Sequence, residues 1–135
     1  MALAVLDGVG VSEQSEQLKQ RTMRFALDTC ALIRELPHDE PCITVRRQLA
    51  KAATSVAFNY RASCRGRSHT EFTAKLGTVV EEADEAFGWL EFIEAAGLLR
   101  VDELKRLIRE ADEITAIMAA SYRTARQKER LRGRK

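Results

Sequence analysis

Both prolines of the chain, Pro37 and Pro41, fall in one short stretch, "LPHDEPC". Proline fixes φ and lacks an amide hydrogen, so a helix entering this stretch must end there, and the acidic residues between the two rings suit an exposed turn. Elsewhere apolar residues return with a period near 3.6, and nothing resembles a run of alternating β-branched residues. A chain whose one forced break lies between helix-permissive segments is all-α.

The periodicity predicts four helices. The first runs from Glu13 to Leu36, with Leu18, Phe25, Leu32 and Leu36 on one stripe and Ala26, Cys30 and Ile33 beside them. The second, Ile43 to Ser63, has a mostly small inner face: Val45, Leu49, Ala52, Ala53, Val56, Ala57 and Tyr60. Before the third, Gly66 permits a turn, and Ser68 with Glu71 fits a capping box, each side chain satisfying a free backbone amide. Its stripe, Phe72, Leu76, Val79, Val80, Ala83, Phe87, Leu90 and Ile93, stops at Gly97. The fourth starts near Asp102, an N-cap type, and carries Leu104, Leu107, Ile108, Ala111, Ile114, Met118 and Tyr122. Short connections make neighbours antiparallel, so the expected architecture is an up-down-up-down four-helix bundle. Residues 13–126 form that bundle, residues 1–12 a flexible arm, and residues 127–135 a basic tail.

At 135 residues and 45% apolar the chain supports one domain without a disulfide or metal. Cys30, Cys42 and Cys64 are odd in number and lack CxxC spacing, which fits reduced thiols in a cytoplasmic protein. The opening "MALAVLDGVGV" has no basic n-region and is broken by Asp7 and Gly8, so it is not read as a leader. No apolar run reaches the roughly 18 residues of a spanning helix, and no membrane association is expected.

Charge is segregated. Residues 41–67 hold Arg46, Arg47, Lys51, Arg61, Arg65 and Arg67 with no acid. Residues 68–96 hold Glu71, Glu81, Glu82, Asp84, Glu85, Glu91 and Glu94 against Lys75 alone, and after Tyr122 the chain is basic again. Such a pattern suits pairing of helices or subunits by charge, and leaves the tail as an unpaired basic arm. Arg61, Arg65 and Arg67 stand where they could neutralise phosphate, helped by the free amides of the third helix. The competing expectation pairs them with Glu81, Glu82 and Glu85, in the same chain or a neighbouring subunit. Arg126, Lys128, Arg130 and Arg132 could release phosphate counterions on nucleic acid, but no aromatic follows Tyr122 to stack on bases.

Asn59 is expected to satisfy backbone groups near a helix end or to fix register. Trp89 and Phe92 lie off the main stripe, either widening the core face or forming a self-association surface. Among enzyme readings, "EEADE" and "EADE" place Glu82, Glu85, Glu110 and Glu113 on consecutive helices, superficially like the magnesium-holding carboxylates of all-α nucleotide pyrophosphohydrolases. A di-iron centre fails because the one Glu-x-x-His spacing, Glu35 to His38, crosses Pro37. With His38 in a turn and His69 beside a cap, no nucleophile triad is credible, and no catalytic residue or cofactor is expected.

The segments "QLAKAATSVAFNYRASCRGRSHTEFTAKLG" and "EADEAFGWLEFIEAAGLL" resemble the four-helix bundle family related to proteins encoded in intervening sequences of 23S ribosomal RNA. The resemblance covers roughly Arg24 to Arg126 and rests on Gln48, Ser55, Asn59, Tyr60, Arg61, Ser68, Phe72, Trp89 and Leu90. It implies an antiparallel bundle that often forms a ring-like homopentamer, with no established enzymatic activity. A more distant similarity is to the accessory variability determinant of diversity-generating retroelements, a basic pentamer that binds nucleic acid and a reverse transcriptase. Ala62 and Ser63 stand where many relatives carry a glutamate. The sequence therefore reads as a non-enzymatic, self-assembling bundle whose basic surfaces meet RNA, DNA or a ribonucleoprotein, the alternatives being a purely protein-binding module and the magnesium-dependent hydrolase.

Overall fold

The computed structural model describes residues 12–133, which form four helices and, among the described residues, no strand. They are α1 (Glu13–Ile33), α2 (Cys42–Cys64), α3 (His69–Ala95) and α4 (Asp102–Gly133). Of the expected arm, residues 1–12, all but Ser12 lies outside the described residues. None of these helices is long and apolar enough to cross a membrane.

α1 opens with a capping box that sequence reading missed. Ser12 Oγ accepts from the Ser15 amide and Ser15 Oγ accepts from the Ser12 amide, both at 3.1 Å, with serine in place of the usual Glu or Gln. The helix ends at Ile33 rather than Leu36, because a residue before proline is driven out of the α region. The Glu35 and Leu36 amides instead reach back three residues, to Leu32 O at 2.9 Å and Ile33 O at 3.1 Å. Leu36 stays buried all the same. Arg46 braces this ending, donating from Nη1 to Leu36 O at 3.0 Å and, as a second donor beside the Leu36 amide, to Ile33 O at 2.7 Å.

α2 has no side-chain cap at Pro41, and the Glu40 carboxylate serves its first turn by accepting from the amide and hydroxyl of Thr44. At the next turn Gly66 does not have a left-handed backbone; its place is one of close approach, where a Cβ would lie 3.1 Å from Phe72 N and 3.2 Å from Ser63 O. Ser68 caps α3 by accepting from the Glu71 amide at 3.1 Å, while the return bond from the Glu71 side chain, expected of a full box, is not made. α3 stops in a Schellman motif: Gly97 has φ 67°, the Leu98 amide donates to Ile93 O and the Gly97 amide to Glu94 O.

The core forms where the inner faces meet. Leu49, Ala52, Ala53, Val56 and Tyr60 of α2 pack with Leu76, Val79, Ala83, Ala86, Leu90 and Ile93 of α3, and with Leu107, Ile114 and Met118 of α4. α1 adds Phe25 and Leu32 but also buries the hydroxyls of Ser15, Thr22 and Thr29. Small residues on α2 allow close packing against its neighbours. Gly77 plays the same part on α3, since a Cβ there would lie 2.9 Å from the Tyr122 ring of α4.

Candidate functional site

A helix that buries Leu49, Val56 and Tyr60 must turn the opposite side outward. On α2 that side carries Arg47, Lys51, Phe58 and Arg61, with Arg65 just past its end, all exposed, and 56% of the Phe58 surface is open. Among the described residues Arg47, Arg61, Arg65 and Arg67 make no ion pair, while the charge of Lys51 acts on Glu82. The expected pairing of Arg61, Arg65 and Arg67 with Glu81, Glu82 and Glu85 is therefore not made within the chain. Helix phase is the reason. Arg61 and Arg65 point outward and toward α1, where they border a groove with Gln20, Met23, Arg24 and Leu27, and Arg67 stands in the α2–α3 turn. On the α1 side Lys19 is paired with Glu16 at 3.0 Å and Arg24 lies 3.7 Å from Asp28.

As far as Gly133 the basic residues after Tyr122 belong to α4, while Arg134 and Lys135 of the expected tail lie outside the described residues. Gln, Lys, Glu, Arg and Leu are strong helix formers, and the segment is also tied down. Ala125 is fully buried. His69 Nε2 donates to Ala125 O at 3.1 Å and lies 3.8 Å from the Glu129 carboxylate, to which the Thr70 hydroxyl also donates at 3.2 Å. The end of α4 thus sits against the first turn of α3, beside the loop that holds Arg65 and Arg67. Arg126, Arg130 and Arg132 are exposed, and Arg126 donates to the Tyr122 hydroxyl with its guanidinium 5.8 Å from that ring. Lys128 is half-buried. His69, taken from sequence only as a neighbour of a cap, is the residue that fixes this docking.

Trp89 is half-buried against the core, and Phe92 is 42% exposed with its ring edge-on to Trp89 at 5.8 Å. Trp89 therefore widens the core face, while Phe92 leaves an apolar ring open at the surface. Asn59 is half-buried and its Nδ2 donates to Ser55 O at 3.0 Å, one turn back on its own helix. Near it the Tyr60 hydroxyl is buried beside the Cys64 thiol, and burial first, with Cys64 adding to it, raises its pKa well above the usual phenol range. Burial likewise pushes up the Cys64 thiol.

The carboxylates of the hydrolase reading do not converge. Glu110 and Glu113 turn to α1, where Arg21 donates Nε and Nη2 to the two oxygens of Glu110 at 2.8 and 2.7 Å and Nη2 to Glu113 at 3.1 Å. The bidentate bond to Glu110 is the main cause of the raised pKa of Arg21. Farther along the same seam Arg106 joins Glu103 and Asp28. On α3, desolvation and then Glu85 raise the pKa of Glu82, whose Oε1 is buried without a donor. Among the described residues no three of His, Cys, Asp or Glu are grouped to hold a metal ion.

Residues 14–120 match the family model of the 23S rRNA-intervening sequence protein. The chain belongs to that family. No curated protein matches it. Among solved structures it is similar to a protein of unknown function from the S23 ribosomal protein family of Bacteroides thetaiotaomicron, at 20% identity and a TM-score of 0.72, over 81% of this chain and 97% of that one. At that identity the likeness concerns the fold. The four helices of this 23S rRNA-intervening sequence family member, with the outward α2 face and the docked end of α4, are what the comparisons leave for function to be read from.

Proposed function

We propose that this chain is a non-enzymatic, self-assembling scaffold that holds nucleic acid or a ribonucleoprotein on its basic surfaces. The observation that carries the reading is the outward face of α2, where exposed arginines have no acid on their own helix and no ion pair among the described residues. Cations left unpaired keep their capacity to displace the counterions of a phosphate backbone. The docked end of α4, with Arg126, Lys128, Arg130 and Arg132, extends the same charge beside Arg65 and Arg67. An antiparallel up-down-up-down order is supported by contacts that run in opposite senses, Ile33 with Arg46, Asp28 with Arg106 and His69 with Ala125. The exposed edge at Phe92 and Trp89 supports self-association, and a head-to-tail contact there closes a ring of the pentameric kind. Three free cysteines suit a cytoplasmic setting.

Replacing Arg61, Arg65 and Arg67 together by Glu tests the reading. The variant is expected to lose retention of mixed RNA and DNA fragments at low salt while keeping its helical circular dichroism. Undiminished retention would remove these residues from the account, and a wild-type protein that ignores nucleic acid would turn the scaffold toward a protein partner.

A further inference from the structure

Phe58 stands on the side of α2 opposite its core face, with 56% of its surface exposed. Along the helix it lies seven residues from Lys51 and from Arg65, about 10 Å each way, with Arg61 one turn beyond it. Leu27, 53% exposed, borders the neighbouring groove together with Arg61 and Arg65. This ring belongs neither to the core nor to the Trp89 and Phe92 edge, and its helix has no acid; from other helices Glu16 lines the same groove but is paired with Lys19, and Glu82 feels the charge of Lys51.

We propose that the outward face of α2 is a stacking platform for single-stranded nucleic acid, with a base lying on Phe58 and the flanking phosphates on Lys51, Arg61 and Arg65. The inference rests on the nucleic-acid reading above and specifies its substrate class. Charge complementarity selects a polyanion, and the ring narrows it: an unpaired base offers a π-face, whereas the bases of a duplex are stacked on one another and cannot reach a side chain on a convex helix. An acidic protein would use the cations but has no comparable need of a flat ring among them. Because every base has a π-face, the platform is tolerant of sequence and of sugar.

The test is fluorescence anisotropy of the full chain with labelled oligo-U, oligo-dT and an RNA duplex of equal length, at low salt. The wild type is expected to bind both single strands more tightly than the duplex. Phe58→Ala should weaken both single strands by about five- to a hundredfold and leave the duplex unchanged, and Phe58→Tyr should restore the single-strand affinity. Equal weakening of single strands and duplex, no weakening at all, or a loss confined to one sugar would overturn the platform while the nucleic-acid reading stands. Failure of the wild type to bind any of the three probes overturns both. A drop in oligomer mass by light scattering on Phe58→Ala would assign the ring to a second copy of the chain and also overturn the platform.

Discussion

An ionised carboxylate with an oxygen buried away from any donor works against folding, and Glu82 is in that position on the α3 flank, with Glu85 and Glu81 adding repulsion that Lys51 offsets in part. Its pKa is higher folded than unfolded, so the folded state holds the proton more tightly. Stability therefore falls as pH rises from the ordinary carboxylate range through the raised folded value, and the cost is fully present above it. Glu82→Gln is expected to raise the melting temperature by roughly 3 °C at pH 7 and to have little effect near pH 4, measured by circular dichroism melts at both values. A gain equal at the two pH values would mean that charge is not the cause. At this scale the sequence was legible where a residue's role depends on its own helix: the inner-face residues of α2 are buried as their spacing required. It was not legible where the role depends on a partner far along the chain. By sequence Arg46 is only one of six bases in a stretch without acid, although it donates to the carbonyls at the end of α1, and His69 is only a residue beside a cap, although it holds Ala125 of α4.

Two glycines in α3 separate propensity from packing at the scale of the element. Nothing lies within 4 Å of a Cβ built on Gly88, whereas one on Gly77 would press on the Tyr122 ring at 2.9 Å. Gly88→Ala is therefore expected to stabilise the protein by up to about 1 kcal/mol, the helix-interior cost of glycine. Gly77→Ala gains the same propensity but must displace the Tyr122 ring from its contact with α3, so it is expected to gain less than Gly88→Ala or to lower stability. Urea unfolding of the two variants checks the pair, and equal stabilisation by both would contradict the close α3–α4 contact. Helix existence and faces were legible because apolar spacing repeats over many turns. Ends were less so. The box at Ser12 escaped notice because its second member is serine, and the end of α1 lies before Leu36 because Pro37 acts on the residues ahead of it. The tail read as a basic arm because charge dominates its composition, yet the bonds from His69 and Thr70 to α4 make it the last turns of a helix.

Across the whole molecule the near-balanced net charge of +2 hides an α2 with bases and no acid and an α3 that is mostly acidic, while α1 and α4 carry both signs. Part of it is consumed inside the fold: the α1–α4 seam ties Arg21 to Glu110 and Glu113, and Arg106 to Asp28 and Glu103. Among the charges left outside is the basic face of α2, along with the basic end of α4 and the exposed Glu81, Asp84, Glu85, Glu91 and Glu94 of α3. Sequence could count its charges but could not tell which were spent, since that depends on helix phase and on which helices become neighbours. In the proposed assembly, an oligomer built at the Phe92 edge would leave the α2 face open and multiply it around a ring. Light scattering on the purified protein, alone and with mixed RNA and DNA fragments, at low and then raised salt, tests this account most directly. The account predicts a mass near five subunits that grows with nucleic acid and reverts as salt rises, because counterion release drives the contact. A monomer whose mass ignores nucleic acid at low salt would contradict it.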